Sequence, residues 1–177
     1  MENLKPIIFL VPIIALILVS LLYAFSVKKV TNKKTFNGFV LMIIGFAFVL
    51  NFTWELAQMP LYDSSSFTIN HVAFCALGSV ADALMVLLLY FGLAFIFKNP
   101  LWIFPLKRER VVIVVLTGGI GAVLSEIRHL SLGNWAYSDL MPLIPIFNVG
   151  VSPVLQFMIL PIIIYNLSFK LLSFKQI

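Results

Sequence analysis

Polar residues that could do chemistry recur at helical spacing within otherwise apolar sequence. Asn51, Glu55 and Gln58 are separated by four and three positions, so their side chains share one face of a helix. A glutamate at the end of a membrane helix is costly unless another group pairs with it or uses it. We therefore expect Glu55 to act as a general acid, a general base or a ligand-binding carboxyl group, with Asn51, Trp54 and Gln58 as ligand contacts. The alternative is that Glu55 reaches the membrane interface, where Trp54 and Tyr62 are typical of the aromatic belt.

A second stripe carries four polar residues at spacings of four, four and three, namely His71, Cys75, Ser79 and Asp82. Asp82 is the strongest candidate for catalysis, because a lone acid within a span is a functional group by default. A carboxyl group buried without a cation favours its neutral form, which can donate a proton. We expect His71, Cys75 and Ser79 to contact a ligand along the same face.

This second stripe does not make a metal centre by itself. His71 and Asp82 would be about 16 Å apart along a helix, so one ion cannot bind both. His71 and Cys75 could supply two ligands, but zinc usually takes four. An acid or a histidine from another helix would have to complete the set. We predict a site without metal or cofactor.

The fourth apolar stretch ends in a further polar stripe. Glu126 and His129 share a face and could act as an acid–base pair. Alternatively, Arg128 forms an ion pair with Glu126 or with Asp139 at the interface. The first interpretation makes Glu126 and His129 catalytic candidates beside Glu55, whereas the second makes this region an interfacial ion pair.

The fifth apolar stretch begins with a fourth stripe at intervals of four, formed by Asn148, Ser152 and Gln156. Pro153 lacks the N–H that would bond to the carbonyl of Val149, and such broken turns can line cavities in membranes. Four polar stripes at matching depth predict one shared cavity, with Gln156 among its ligand contacts. Trp135 and Tyr137, in the loop before this stretch, are further candidate contacts.

The composition requires a membrane around these stripes. Of the 177 residues 62% are hydrophobic and 11% are charged, whereas soluble domains carry about 25% charged residues. A helix needs roughly 20 mostly apolar residues to cross the hydrocarbon core, and the sequence has room for five. We predict one all-α transmembrane helix bundle of residues 1–177, with spans at about 6–26, 36–58, 71–97, 111–128 and 149–169. The first span is longer than a signal-peptide core.

The net charge of +5 does not indicate nucleic-acid binding, because the basic residues lie in short clusters between the apolar runs. With five spans, the first and third connections and the C-terminal segment share one side of the membrane. They hold ten of the twelve basic residues: Lys28, Lys29, Lys33, Lys34, Lys98, Lys107, Arg108, Arg110, Lys170 and Lys175. Lys5 and Arg128 remain for the other side. The positive-inside rule then places the N-terminus outside, the C-terminus in the cytoplasm, Ser65 outside and Lys33 inside.

Three segments resemble an uncharacterised family of small bacterial membrane proteins with several spans. They are Trp54-Glu55-x-x-Gln58-Met59-Pro60-Leu61-Tyr62, Gly78-Ser79-x-x-Asp82-x-Leu84-Met85 and Gly133-x-Trp135-x-Tyr137-x-x-x-Met141-Pro142. This resemblance covers about residues 51–161 and implies a bacterial inner membrane, but no activity. Asn51-x-x-Trp54-Glu55 is also similar to the Trp-Glu element of membrane-bound terpene cyclases, whose intramembrane carboxylic acids protonate an isoprenoid epoxide or olefin. The size and the mixture of His, Glu and Trp resemble the emopamil-binding and sterol-isomerase group, which has few spans around a hydrophobic pocket.

Two classes of function fit these patterns. The first is a membrane enzyme that uses acid–base chemistry on a lipid or isoprenoid entering from the bilayer, with Glu55 and Asp82 as proton donors and acceptors. The second is a non-enzymatic small carrier, lipid-binding protein or subunit of a membrane complex, in which these acids relay protons or contact a partner. Many carriers consist of inverted repeats, and the sequence shows none. We expect membrane lipids and a hydrophobic small molecule as partners, with an oligomer or a larger complex left open.

Overall fold

A computed structural model describes residues 9–63 and 66–174 of the chain. These residues contain five helices, each long and apolar enough to cross a membrane. They are α1 (Leu10–Val27), α2 (Lys33–Gln58), α3 (Ile69–Ile96), α4 (Arg108–Ser131) and α5 (Val151–Phe174). A 3-10 turn, Met59–Leu61, extends α2, and two short antiparallel strands, β1 (Leu143–Ile144) and β2 (Val149–Gly150), precede α5. The predicted all-α bundle with five spans is thereby confirmed. The orientation of its termini stays a prediction.

Several predicted features lie outside the described residues. They are the start of the first span at residue 6, Lys5, Ser64 and Ser65 in the second connection, Lys175, and the side chains of residues 173 and 174. The fold is therefore described from Phe9 onward, with a gap between Asp63 and Ser66.

Capping side chains set the helix starts earlier than the hydropathy pattern predicts. α2 begins three residues before position 36, because Asn32 accepts a hydrogen bond from the backbone N–H of Thr35 at 3.0 Å. α3 begins two residues before position 71, where the Thr68 hydroxyl accepts from the N–H of His71 at 3.4 Å. α4 is longer than predicted at both ends, since its polar first and last turns remain helical outside the apolar stretch.

The expectation that Pro153 opens a turn at Val149 is wrong. Val149 lies in β2, paired with Ile144, and α5 begins only at Val151. Pro153 therefore sits in the first turn of α5, where backbone N–H groups have no partner within the helix. The proline inside the helix is Pro161.

Pro161 instead shapes the contact between α5 and α4. It cannot donate the helical hydrogen bond to the carbonyl of Phe157. Gly118 of α4 lies directly against that carbonyl, so that any side chain at position 118 would overlap it, and Gly119 lies against Met158. The two glycines thus allow close approach of the helices, as is common in membrane bundles.

The helices lie side by side in the order α1, α3, α2, α5, α4. α2 is central, with α3 and α5 on its two sides, and α4 touches α3 only slightly. Successive helices run in opposite directions, so the bundle has two ends. We call the end with residues 59–63 and the loop 132–148 the polar end, and the end with residues 28–32 and 97–107 the basic end. Polar stripes from α2, α3, α4 and α5 meet toward the polar end.

Candidate functional site

A chain of polar side chains joins α2 and α5 at the polar end. The indole Nε1 of Trp54 donates to Ser152 Oγ at 3.3 Å, and the Ser152 hydroxyl donates to Gln58 Oε1 at 2.8 Å. The Gln58 amide donates to Glu55 Oε1 at 2.9 Å and to Gln156 Oε1 at 3.3 Å. Buried polar groups are tolerated when they are hydrogen-bonded, and these groups satisfy one another. The stripes of α2 and α5 therefore face each other.

Gln156 is the junction of three helices. Its side chain is 1% exposed, and its amide donates to Asn51 Oδ1 at 2.8 Å and to Asp82 Oδ2 at 3.2 Å. Asn51 is equally buried and donates to the backbone carbonyl of Ala47 at 2.7 Å. The carbonyl oxygen and both N–H groups of Gln156 thus have partners, which fixes the orientation of its amide.

Three carboxyl groups, those of Glu55, Asp82 and Glu126, lie within electrostatic range of one another. Among the described residues, the groups that act on them are carboxyl, amide, indole and phenol groups, and no cation. Several like charges without a counter-ion are costly in a low-dielectric interior. It is therefore unfavourable for all three acids to be ionised at the same time.

Accessibility distinguishes the three acids. Glu126 is 6% exposed, whereas Glu55 and Asp82 keep part of their surface accessible. Asp82 keeps some accessible surface although it lies in the middle of α3, deep among protein atoms. By exposed surface, Glu126 is therefore the most enclosed of the three acids.

The loop 132–148 crosses the polar end and is attached to the segment that follows α2. The backbone N–H of Asp63 donates to the carbonyl of Ala136 at 2.9 Å, and the N–H of Ser138 donates to the carbonyl of Leu61 at 3.0 Å. These two bonds pair the segments as a short antiparallel bridge. The aromatic residues on both segments are thereby held opposite each other.

Glu126 lies beneath this loop. Its Oε2 atom accepts hydrogen bonds from the Tyr137 hydroxyl and, at 3.2 Å, from Nε1 of Trp135. In the described part of the chain Glu126 thus has two aromatic donors, in place of the direct pair with His129 or Arg128 that the spacing allowed. The sequence placed Trp135 and Tyr137 near the site but gave no sign that they bind this carboxylate.

Four rings form an aromatic cap over the polar end: Tyr62, His129, Trp135 and Tyr137. The Tyr62 ring centroid is 6.4 Å from that of Trp135 and 5.6 Å from that of Tyr137. His129 stacks on Trp135 with centroids 4.3 Å apart. The Asn134 amide nitrogen lies 2.7 Å from His129 Nδ1, and because an amide nitrogen only donates, Nδ1 is the acceptor. His129 therefore reaches Glu126 only through the indole of Trp135.

The two tyrosines of the cap are neutral hydrogen-bond donors at physiological pH. Burial raises the pKa of the Tyr62 phenol above its ordinary value, and the nearby Glu126 and Glu55 carboxylates raise it further. Burial also raises the pKa of Tyr137, as does the hydrogen bond that its hydroxyl donates to Glu126. Tyr137 can therefore donate to Glu126 over the whole physiological range.

The other members of the α3 stripe lie apart from this network. His71 Nδ1 contacts Ser66 at 3.0 Å, which ties the start of α3 to the preceding connection. Ser79 is fully buried and donates to the Cys75 carbonyl at 2.7 Å. Cys75 is within electrostatic range of Glu55. In residues 9–63 and 66–174 no group of three or more His, Cys, Asp or Glu residues could hold a metal ion.

Two residues have roles that the spacing did not indicate. Asn148 does not extend the α5 stripe, because it is exposed in the turn between β1 and β2 with a φ of 52°. Asparagine tolerates this left-handed conformation better than most residues. Tyr62, which the sequence suggested as an ordinary belt aromatic, belongs to the aromatic cap.

Comparison of the chain with protein-family models, with curated proteins and with solved structures gave no match. The resemblances noted from short segments stay expectations. A function for the chain therefore depends on the geometry of the polar end.

Proposed function

We propose that the polar end is an acid–base site for the head of an amphiphilic molecule, a lipid or an isoprenoid, that enters from the bilayer. Asp82 and Glu55 exchange protons with this head. Glu126, beneath the aromatic cap, and His129, within it, support them, and Gln156 positions Asp82. The apolar tail of the molecule remains among the helices or in the surrounding lipid.

The observation that carries this proposal is the setting of Asp82. Among the described residues its only hydrogen-bond donor is Gln156, through Oδ2, and no cation accompanies it. It lies deep in the bundle and is only partly enclosed. An ionisable acid within a membrane span lowers the stability of the protein, so its presence indicates a functional role.

Two carboxyl groups on neighbouring helices can carry out the two steps of a proton-transfer reaction, one as the acid and the other as the base. One gives a proton to an oxygen atom or a double bond of the bound head, and the other takes a proton from an adjacent carbon atom. The head is then rearranged with no net change in its number of protons. Positioned general acids and bases contribute roughly 10²- to 10⁴-fold to such reactions. Gln58 and Gln156 hold the two carboxyl groups in place for this purpose.

The outer surface of α3 suits a substrate with a long tail. Leu77 and Val80 are 44% and 48% exposed and lie on the side of α3 opposite Asp82. The proposal leaves the tail in the surrounding lipid, while the head reaches the acids from the other face of the helix. Polar molecules from water would instead have to pass the aromatic cap.

The second candidate is a binding or carrier protein without chemistry. It is favoured by the completeness of hydrogen bonding around Gln156 and Gln58, since fully satisfied polar networks also serve to fix a unique packing. In that case Asp82 and Glu55 would bind the head or relay protons, and no bond of the ligand would change.

Deuterium incorporation separates these two candidates. Purified protein is incubated in heavy water with a total membrane lipid extract, and the lipids are analysed by mass spectrometry. The proposal predicts deuterium on carbon in one lipid or isoprenoid class, because a carbon-bound proton passes through a solvent-exchanged carboxyl group. Asp82→Asn should abolish this incorporation, since its amide cannot donate an acidic proton but still accepts from Gln156.

Asp139→Asn is the matched control, because Asp139 is an exposed acid in the loop at the same end. It should incorporate deuterium as the wild type does. Expression and oligomeric state should be the same for all three proteins. Incorporation that persists in Asp82→Asn would overturn the role of Asp82, and unfolding of that variant would show that Asp82 is structural. Binding of a lipid without any incorporation would favour the second candidate.

A further inference from the structure

A groove of about 300 Å³ lies where α1, α2 and α3 meet, on a different part of the bundle from the acids. Its apolar lining comes from all three helices and consists of Val19, Val40, Leu41, Ile44, Leu87 and Phe91. Leu41 is 69% exposed and Ile44 is 41% exposed, so this side of the groove is open to the membrane. The groove is therefore accessible to an apolar chain from the bilayer.

A polar pair interrupts the apolar lining. The Tyr23 hydroxyl donates to Asn37 Oδ1 at 2.9 Å, and both residues line the groove. The Tyr23 ring is held by Phe36 and Phe91, with centroids 6.4 Å and 6.0 Å away. Asn37 is exposed, and in the described part of the chain its amide N–H groups have no partner. Because Asn37 is exposed next to the basic end, its amide can donate to an acceptor that a ligand carries.

Positive charge continues the α2 side of the groove toward the basic end. Lys33 lies one helical turn before Asn37 on the same face, and Lys34 lies about two turns before Leu41 on the same face. The connection that begins at Lys28 and ends at Lys34 contains four lysines and no acid. All four lysines are exposed. The groove thus ends in an uncompensated cluster of positive charge.

We propose that this groove binds one acyl chain of an anionic phospholipid, with the lipid phosphate held by Lys33, Lys34 and the Asn37 amide. The charge of the cluster is complementary to a phosphate, and each lysine near a membrane surface strengthens its attraction to anionic lipid several-fold. The apolar lining selects a chain, and the Asn37 amide supplies a donor at the boundary between chain and headgroup. This site is independent of the acids at the polar end.

Native mass spectrometry of the purified protein in detergent tests this proposal. The probes are phosphatidylglycerol and phosphatidylcholine with identical acyl chains. We expect one equivalent of phosphatidylglycerol to bind, at least about fivefold more tightly than phosphatidylcholine. The variant Lys33→Gln/Lys34→Gln should lower the affinity for phosphatidylglycerol by about tenfold or more.

The matched charge control is Lys107→Gln/Arg108→Gln, which removes two exposed charges from the other connection at the basic end. It should change the affinity by less than about twofold, because surface charge away from the groove is screened. Leu41→Trp should obstruct the groove and lower phosphatidylglycerol binding. Leu124→Trp, at a position 63% exposed on α4, should not.

Three results would overturn the proposal. Equal affinity for the two lipids would show that charge does not select the ligand. Equal losses in the two double variants would show general surface attraction and no local site. Unchanged binding in Leu41→Trp would show that no chain occupies the groove. Circular dichroism and size-exclusion chromatography verify that each variant is folded before its affinity is compared.

Discussion

At the basic end the buried tyrosine and tryptophan side chains bond to backbone carbonyls, whereas at the polar end most bonds of the buried polar side chains join one side chain to another. The Tyr90 hydroxyl donates to the carbonyl of Pro100, and Trp102 Nε1 donates to the carbonyl of Tyr90 at 3.1 Å. The Tyr165 hydroxyl donates to the carbonyl of Val86 at 2.7 Å. Each of these bonds fastens one segment of backbone to the next, and none involves an acid.

Aromatic packing surrounds the bonds at the basic end. The rings of Tyr90, Trp102 and Tyr165 contact one another with centroids between 5.3 Å and 5.9 Å apart. Trp102 and Tyr165 are fully buried. Offset and edge-to-face contacts of this kind add to the energy of burial. The basic end is therefore built as a rigid clamp on the helices α3 and α5.

The polar end uses bonds whose partners can change. Glu55, Asp82 and Glu126 can each gain or lose a proton, and the amides that contact them can donate or accept. A backbone carbonyl offers no such choice. Under the proposed function, stability is concentrated at the basic end and chemistry at the polar end, and the following predictions test this division.

The largest effect on stability is expected from Trp102→Ala. Loss of a fully buried tryptophan typically costs about 3–5 kcal/mol, and Trp102 also loses its bond to the Tyr90 carbonyl. The free energy of unfolding, measured by denaturant titration in micelles, should fall by this amount, while deuterium incorporation per folded molecule stays unchanged. Leu101→Ala, at the exposed neighbouring position, should have little effect. If Trp102→Ala kept its free energy of unfolding but lost deuterium incorporation, the assignment of stability to the basic end and chemistry to the polar end would be wrong.

An intermediate effect is expected from Gln156→Leu. It removes the donors to Asp82 and Asn51, and each buried group left without a partner costs about 1–3 kcal/mol. Tyr165→Phe, which removes one buried bond at the basic end, should cost only about 1 kcal/mol. Both variants are measured by the same titration and by deuterium incorporation. Only Gln156→Leu should lose incorporation, and equal behaviour of the two would count against Gln156 as a positioning residue.

A smaller effect concerns the titration of the aromatic cap. Because the pKa values of Tyr62 and Tyr137 are raised in the folded protein, both stay neutral at pH values where an unfolded tyrosine, with a pKa of about 10, ionises. Their contribution to stability is therefore complete below about pH 10 and is lost as the pH rises further. The phenolate absorbance of folded Tyr137→Phe should match that of the wild type up to about pH 11. A smaller absorbance change in the variant would show that Tyr137 titrates normally.

No change in stability is expected from the experiment that tests orientation. In a Cys75→Ser background, Lys33→Cys at the basic end should be labelled only from the cytoplasm, and Asp139→Cys at the polar end only from outside. The reason is that basic connections stay on the cytoplasmic side. Labelling with a membrane-impermeant maleimide in intact cells decides the matter, and the reverse pattern would place the acids on the cytoplasmic side.

The sequence predicts the five helices well, because hydropathy is a local property and a helix in lipid must satisfy its own backbone. It also predicts that four polar stripes share one cavity, and two of these stripes, on α2 and α5, are joined by the bond between Gln58 and Gln156. Helix ends were less predictable, since a cap such as Asn32 depends on one side-chain bond. The proline prediction failed because a two-residue strand displaced the start of α5 beyond Val149.

Loop geometry is the main feature that the sequence could not provide. The bonds from Trp135 and Tyr137 to Glu126 depend on how the loop 132–148 pairs with the segment after α2. That pairing joins residues more than seventy positions apart and leaves no periodic signal. The contact of Gly118 with the Phe157 carbonyl could not be predicted for the same reason, because it depends on how α4 and α5 pack.

The most direct test of the central claim is mass spectrometry of the small molecules that co-purify with the protein. Wild type is compared with Glu55→Gln at the polar end and with Glu109→Gln, the same change at an exposed glutamate near the basic end. We predict that one amphiphilic compound co-purifies with the wild type and with Glu109→Gln and is lost, or retained in an altered ratio to its product, in Glu55→Gln. Identical compounds in identical amounts from all three proteins would contradict the account.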